Sequence, residues 1–184
     1  MRVVGGRLRG RRLASPRSDA IRPTTDRARE ALFNILEHGY PGSIEGRRVL
    51  DLFSGSGALG IEALSRGAKY CLFVEQDAAA RALIRENVES LGLQGMTRLF
   101  RRDATRLGPV GTMEPFGLVF ADPPYGRGLG ERALASALEG GWLVADALVV
   151  VEEAAATPFA PPAGLVLHER RVYTGTTLAF CGPA

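Results

Sequence analysis

The sequence predicts an α/β fold with a mostly parallel sheet, and three observations carry this prediction. Strand-like and helix-like segments alternate between residues 47 and 151, as in β–α–β units. The predicted strands are almost continuously apolar, which is typical of strands covered by helices on both faces. Only residues 173–175 join the last two strands, too few for a parallel crossover, so these strands should be antiparallel neighbours.

The elements follow in a regular order. A basic arm, residues 1–23, has hairpin character around Gly5-Gly6. A helix then begins after Thr25, a good N-cap, and ends at Gly39. Seven strands are predicted at 48–53, 70–75, 97–101, 116–121, 148–151, 165–171 and 176–180. Further helices are predicted at 58–66, 78–91 and 129–139.

Charge is unevenly distributed along the chain, although the net charge is only +3. Residues 1–29 contain nine arginines against Asp19 and Asp26, whereas the rest has 14 basic and 18 acidic residues. A basic arm on a near-neutral body favours a polyanionic partner. We therefore expect residues 1–39, the arm and its helix, to pack on a main domain at 40–184. The arginines expected to contact phosphates are Arg7, Arg9, Arg11 and Arg12.

Several classes of protein are disfavoured by the composition. Cys71 and Cys181 are far apart, and neither they nor His38 and His168 have the spacing of metal ligands, so no metal site is expected. No apolar run approaches the ~18 residues of a membrane span. Glycines stand where a signal peptide would be apolar, so we expect a cytoplasmic protein without membrane association.

A glycine-rich loop follows the first predicted strand. Gly55-Ser56-Gly57-Ala58-Leu59-Gly60 matches the G-x-G-x-x-G pattern between a strand and a helix, where backbone N–H groups can approach a ligand. Glu75 ends the next strand, 18 residues after Gly57, and can accept both ribose hydroxyls of an adenosine. The pattern fits either a dinucleotide or S-adenosylmethionine. Asp51 favours the latter, because its carboxylate would repel a pyrophosphate but attract an ammonium and a sulfonium. Asp103 can accept the adenine amino group.

The most specific motif is Asp122-Pro123-Pro124-Tyr125, at the end of the fourth strand. This strand should lie beside the first, so the motif would face the cofactor. Asp122 and the Pro123 carbonyl can each accept one N–H of an exocyclic base amine, which turns the nitrogen lone pair toward a methyl group. The prolines stiffen the turn, and the Tyr125 ring can stack on the base. The expected reaction is methyl transfer to such an amine.

Residues 22–34, 49–68 and 122–125 resemble the RsmD family, bacterial methyltransferases that act on the N2 of one guanine in 16S ribosomal RNA. The resemblance covers nearly the whole chain, and the Arg22-Pro23-Thr24 helix start is its family-specific part. It implies a class I S-adenosylmethionine-dependent methyltransferase (Rossmann-like) fold, with a seven-stranded sheet, an antiparallel C-terminal strand and a small N-terminal extension. It also implies a substrate in the assembling small ribosomal subunit.

Site residues follow by matching position. The catalytic set is Asp122, Pro123, Pro124 and Tyr125. The cofactor set is Asp51, Phe53, Gly55, Ser56, Gly57, Glu75, Gln76, Asp103 and Ala104. Arg22 and Thr24 join the four arm arginines as RNA contacts, and we expect a monomer.

Three other interpretations remain open. An adenine-N6 methyltransferase would use the same motif, although 184 residues leave no room for a separate target-recognition domain. A nicotinamide-dependent dehydrogenase explains neither the Asp122–Tyr125 motif nor the arm. A non-catalytic RNA-binding module would not need the cofactor and base-holding residues.

Overall fold

The computed structural model describes residues 1–17, 25–173 and 175–184. The strands are β1 (Arg48–Leu52), β2 (Tyr70–Val74), β3 (Thr97–Phe100), β4 (Phe116–Ala121), β5 (Leu143–Ala154), β6 (Leu165–Tyr173) and β7 (Thr176–Pro183). The α-helices are α1 (Asp26–Gly39), α2 (Ala58–Ser65), α3 (Ala78–Ser90) and α4 (Leu129–Glu139).

The strands form one sheet in the order β3-β2-β1-β4-β5-β7-β6. β1 pairs in parallel with both β2 and β4. The sheet grows from β1 through β2 to β3 in one direction, and the chain then returns to place β4 on the other side of β1, so the strand order reverses between β1 and β4. β7 is antiparallel to both β5 and β6. The predicted mostly parallel seven-stranded sheet, with its antiparallel C-terminal strand, is therefore confirmed.

Helices cover both faces of the sheet. Val49 of β1 packs into a cluster with residues of α1, α2 and α3, whereas its neighbour Leu50 packs into a second cluster with α4. Successive strand residues point to opposite faces, which is why the strands read as continuously apolar. The predicted N-caps are also confirmed, because Thr25 accepts from Ala28 N and Asp77 from Ala80 N.

One local prediction was wrong. β5 begins at Leu143, five residues before the predicted strand, because Leu143 pairs with Phe116 ahead of a bulge. The exposed Ala145 and Asp146 interrupt the apolar pattern there.

In the arm, Arg2 and Arg12 form an antiparallel bridge, Val3 N donates to Arg11 O at 2.9 Å and Leu13 N donates to Met1 O at 2.9 Å, so the two segments predicted to form a hairpin lie side by side. The amides of residues 4 and 5 bind a side chain of α2, so they do not pair across the arm.

That side chain is Glu62, which is completely buried. It accepts from Val4 N at 3.0 Å, Gly5 N at 2.9 Å and Arg66 Nε at 2.9 Å. Farther along α2, Ser65 accepts from Leu8 N through its hydroxyl. The arm therefore lies along α2, and the predicted boundary between an arm-and-helix part (1–39) and a main domain (40–184) stays a prediction.

Gly60 allows α2 to lie very close to β1 and β2. A Cβ at this position would stand 2.5 Å from Cys71 Sγ and 2.6 Å from Phe73 Cε1. We expect Gly60→Ala to lower the free energy of unfolding by about 1–3 kcal/mol through overpacking, measured by urea denaturation. Gly95→Ala is the control, because a Cβ there meets no atom within 4 Å. Equal unfolding midpoints for the two variants would contradict this expectation.

Candidate active site

A cavity of about 640 Å³ opens at the carboxyl ends of the parallel strands, between β1 and β4 where the strand order reverses. This is the usual ligand site of open α/β sheets. Most of the predicted site residues line it: Phe53, Gly55, Ser56, Glu75, Gln76, Asp103, Ala104, Asp122, Pro123, Pro124 and Tyr125. The fold thus brings together segments that are more than seventy residues apart in sequence.

The glycine loop turns sharply between β1 and α2. Phe53, Gly55 and Gly57 all have left-handed backbone conformations, with φ of 56°, 59° and 83°. The Ser54 hydroxyl braces the turn by donating to the Asp51 carbonyl at 2.5 Å. A Cβ on Gly55 would meet no protein atom within 4 Å, so the loop leaves open space beside its backbone. A ligand can therefore contact the main chain directly at this point.

Glu75 is held against the glycine loop. Its Oε1 accepts from Gly55 N at 2.8 Å and its Oε2 accepts from Asp77 N at 3.0 Å. Arg81 secures the same segment by donating to Gln76 O at 2.6 Å. A carboxylate has about four acceptor sites, so Glu75 keeps acceptor capacity for ligand hydroxyls.

Two predicted cofactor residues lie behind the cavity. Asp51 and Gly57 are not among the lining residues in the described part of the chain. Asp51 is buried and accepts from Gly60 N at 3.1 Å. Burial, with smaller contributions from the charges of Asp122 and Glu75, raises its pKa well above the usual value, and the Gly60 bond only partly opposes this. Direct contact of Asp51 or Gly57 with a cofactor stays a prediction.

Asp103 lines the cavity from the loop that follows β3. Its Oδ1 accepts from Thr105 N at 2.9 Å and from Thr105 Oγ1 at 2.8 Å. These two bonds lower the pKa of the Asp103 carboxyl, with help from Arg106 and Arg132 and against slight burial. The carboxylate is therefore ionised near neutral pH and can accept an N–H. Ala104, which follows it, is buried.

The Asp122–Tyr125 motif is anchored to the end of β5. Tyr125 Oη donates to Glu152 Oε1 at 2.7 Å, and Gly126 N donates to Glu153 Oε1 at 3.1 Å. Glu153 is almost fully buried and also accepts from Ala154 N. Neighbouring residues of one strand thus hold the ring and the backbone of the motif.

Sequence reasoning missed several residues at the site. Glu152 and Glu153 could have been found, because two carboxylates end a strongly apolar strand beside the one that carries the motif. Eleven of the described residues line the cavity but were not predicted as site residues; Ala58 and Leu59 among them belong to the glycine-rich motif, and the others carried no local pattern that pointed to the cavity. The eleven residues are Pro16, Ser54, Ala58, Leu59, Val74, Asp77, Arg102, Thr105, Arg127, Leu129 and Arg132.

The four arm arginines, Arg7, Arg9, Arg11 and Arg12, are exposed and do not line the cavity. Arg7 reaches Met96 Sδ at 3.6 Å and Arg11 donates to Ser90 O at 3.0 Å. Because α3 runs antiparallel to the parallel strands, its last residue, Ser90, lies near the amino ends of these strands, away from the cavity. The predicted RNA contacts Arg22 and Thr24 lie outside the described residues.

The described residues contain neither a membrane-spanning helix nor a cluster of metal-ligating side chains. None of their helices has both the length and the apolar character needed to cross a membrane. Within the same ranges, His, Cys, Asp and Glu side chains form no group of three or more suited to a metal ion.

Comparison with known proteins agrees with this geometry. A family model described as conserved hypothetical protein 95 matches residues 1–182. Ribosomal RNA small subunit methyltransferase D of Escherichia coli (strain K12) is 40% identical over 174 residues, covering 94% of this chain and 84% of that protein. The corresponding protein of Haemophilus influenzae is 34% identical over 173 residues, covering 93% and 88% of the two chains.

Solved structures show the same architecture. A structure described as putative methyltransferase yhhF from Escherichia coli superposes with a TM-score of 0.84 at 36% identity, over 100% of this chain and 97% of the other. Together with the strand order and the cavity, these matches show that the chain belongs to the RsmD family of class I methyltransferases.

Proposed function

We propose that this protein transfers a methyl group from S-adenosylmethionine to the exocyclic N2 of a guanine in 16S ribosomal RNA. One observation carries the proposal: the Asp122–Tyr125 motif and the glycine loop line the same cavity. The names of the relatives supply the substrate class, since they describe ribosomal RNA small subunit methyltransferases. Family membership supplies the guanine N2 assignment.

The residues present fit S-adenosylmethionine. Gly55 leaves room beside its backbone, and Glu75 lines the cavity with acceptor capacity that ribose hydroxyls can use. Ionised Asp103 is available to the adenine amino group. When bound, the cofactor supplies an electrophilic methyl group on a positively charged sulfur, which suits a cavity with several carboxylates.

The motif can prepare the amine for attack. The lone pair of a guanine N2 is delocalised into the ring, so the amine is a weak nucleophile. Asp122 accepts one N–H and the Pro123 carbonyl the other, which favours a pyramidal nitrogen whose lone pair faces the methyl group. Tyr125, fixed through Glu152, offers its ring to the base. Catalysis then rests on positioning and charge stabilisation, because the methylated ammonium loses its proton readily.

The RNA backbone would be bound by arginines on two sides. Arg127 and Arg132 line the cavity and are exposed at its rim. The arm arginines lie farther away, because the arm is bound at the last turn of α2, where Arg7 N donates to Ser65 O at 2.9 Å. We propose that the rim arginines bind phosphates next to the target guanine and the arm binds more distant ones. The partner is the assembling small subunit, bound by a monomer in the cytoplasm.

Salt dependence tests the arm contacts. Replacing Arg7, Arg9, Arg11 and Arg12 with glutamine is expected to weaken binding to small-subunit RNA. The slope of log affinity against log salt should flatten by about one unit per lost phosphate contact. Filter binding across a salt series measures this. Arg171→Gln on the distant strand β6 removes one like charge as the control. An unchanged slope in the arm variant would show that the arm does not contact phosphates.

The reaction itself is tested by offering radiolabelled S-adenosylmethionine to small subunits that lack native methylation, followed by nucleoside analysis. Label in N2-methylguanosine is the expected result. Label in N6-methyladenosine would retain the mechanism and refute the guanine assignment. If no nucleoside carries label although the cofactor binds, the proposed reaction on this substrate is refuted.

A further inference from the structure

Asn87 connects the N-terminal arm to the glycine loop. It lies on α3, is 1% exposed, and accepts from Ala14 N at 2.6 Å through Oδ1. Its Nδ2 donates to Ala14 O at 3.3 Å and to Ser56 O at 3.0 Å. If the amide were flipped, Nδ2 would face the N–H of Ala14 and Oδ1 would face the carbonyl oxygen of Ser56, and neither pair can form a hydrogen bond. These backbone groups therefore fix the orientation of the amide.

Both connected segments form walls of the cavity. Ser56 lines it from the glycine loop, and Pro16 lines it two residues after Ala14. The support continues one turn earlier on α3, where a Cβ on Gly57 would stand 3.4 Å from Ile84 Cγ1. The face of α3 from Ile84 to Asn87 therefore sets where the glycine loop and the arm stand relative to each other.

We infer that Asn87 is a positioning residue that couples cofactor binding to the placement of the arm. A ligand held by the glycine loop fixes Ser56 O, which fixes the Asn87 amide and, through it, Ala14 and Pro16. Because such coupling is reciprocal, the cofactor-bound enzyme should bind RNA more tightly, and RNA should strengthen cofactor binding. The inference rests on the proposed function in requiring S-adenosylmethionine or its product in the cavity.

Amide hydrogen exchange in the arm distinguishes coupling from simple structural support. Leu13 N donates to Met1 O at 2.9 Å and Gly10 N donates to Val3 O at 2.8 Å, so both amides report on arm order without contacting Asn87. Saturating S-adenosylhomocysteine, the product form that cannot react, should slow their exchange in the full chain by about 5-fold, the lower end of common coupling factors. A merely structural Asn87 would protect the arm equally with and without this ligand.

Two variants assign the coupling to Asn87. Asn87→Ala should abolish the ligand-dependent slowing. Asn87→Asp, of nearly the same size, keeps an acceptor for Ala14 N but loses the amide donor to Ser56 O, and should also abolish it. Ser65→Ala is the matched control, because it removes arm contacts to Leu8 N and Gly5 O at the far end of α2. In Ser65→Ala, the arm amides should exchange faster than in the wild type both with and without the ligand. Their exchange should still become slower when the ligand binds.

The outcomes separate this inference from the proposed function. Ligand binding by calorimetry with unchanged arm exchange in the wild type would overturn the coupling alone, whether or not the variants fold. Equal slowing in the wild type and both Asn87 variants would overturn the role of Asn87. If S-adenosylhomocysteine does not bind the wild type, the proposed function fails and this inference fails with it.

Discussion

Asp122→Ala is expected to reduce kcat by about 100- to 1,000-fold, the loss typical of one transition-state hydrogen-bonding group. The carboxylate is proposed to accept an N–H that becomes more acidic as the nitrogen attacks, so its contribution grows in the transition state. Cofactor affinity should change little, because the glycine loop and Glu75 lie on other segments. Single-turnover methylation measures the chemical step, and calorimetry with S-adenosylhomocysteine measures the affinity.

The matched control for this substitution is Asp146→Ala. Asp146 pairs with Arg47 at 2.8 Å. Both residues lie near the amino ends of the parallel strands, away from the cavity at their carboxyl ends. Removal of the Asp146 side chain should leave kcat unchanged. Normal turnover in Asp122→Ala would refute the proposed role of that carboxylate, and equal losses in both variants would indicate a general effect on folding.

Glu62→Ala is expected to lower the free energy of unfolding by about 3 kcal/mol, the lower end of the range for removing one partner of a buried ion pair. The substitution leaves Val4 N, Gly5 N and Arg66 Nε without the carboxylate they bind. Arg66 retains its second partner, Glu37, at 3.0 Å, which places the loss at the lower end of the range. Urea denaturation monitored by circular dichroism gives the free energy of unfolding.

A surface pair provides the comparison. Glu114 stands 3.9 Å from Arg48 and its side chain is 76% exposed. Glu114→Ala should have little effect, because solvent screens such a pair. If Glu62→Ala is no more destabilising than Glu114→Ala, the buried network does not hold the arm on α2.

The parallel core of the fold was predictable because its local signals agree with one another. Thr25 and Asp77 are good N-caps, the strands are apolar, and glycines mark the ends of helices. The motif at Asp122 was assigned to the end of a strand beside β1, and the structure places it there. Prediction succeeded wherever a segment's structure follows from its own residues.

Predictions were wrong or incomplete where a distant partner determines the structure of a segment. The first half of β5 looks too polar for a strand, yet Leu143 pairs with Phe116 across a bulge. The ends of the arm pair as in a hairpin, but the sequence did not indicate that Glu62 binds the amides of Val4 and Gly5. In both cases the competing hydrogen bonds come from residues more than twenty positions away, which no local pattern reveals.

The sequence by itself determined the α/β class, the glycine loop and the position of the Asp122–Tyr125 motif at a strand end, because glycine conformations, proline turns and apolar periodicity act over a few residues. Only the tertiary structure decided that Asp51 and Gly57 lie behind the cavity, that Glu152 and Glu153 anchor the motif, and that Asn87 joins the arm to the loop. These features depend on burial and hydrogen-bond geometry between segments, which arise only when the folded chain brings those segments within bonding distance.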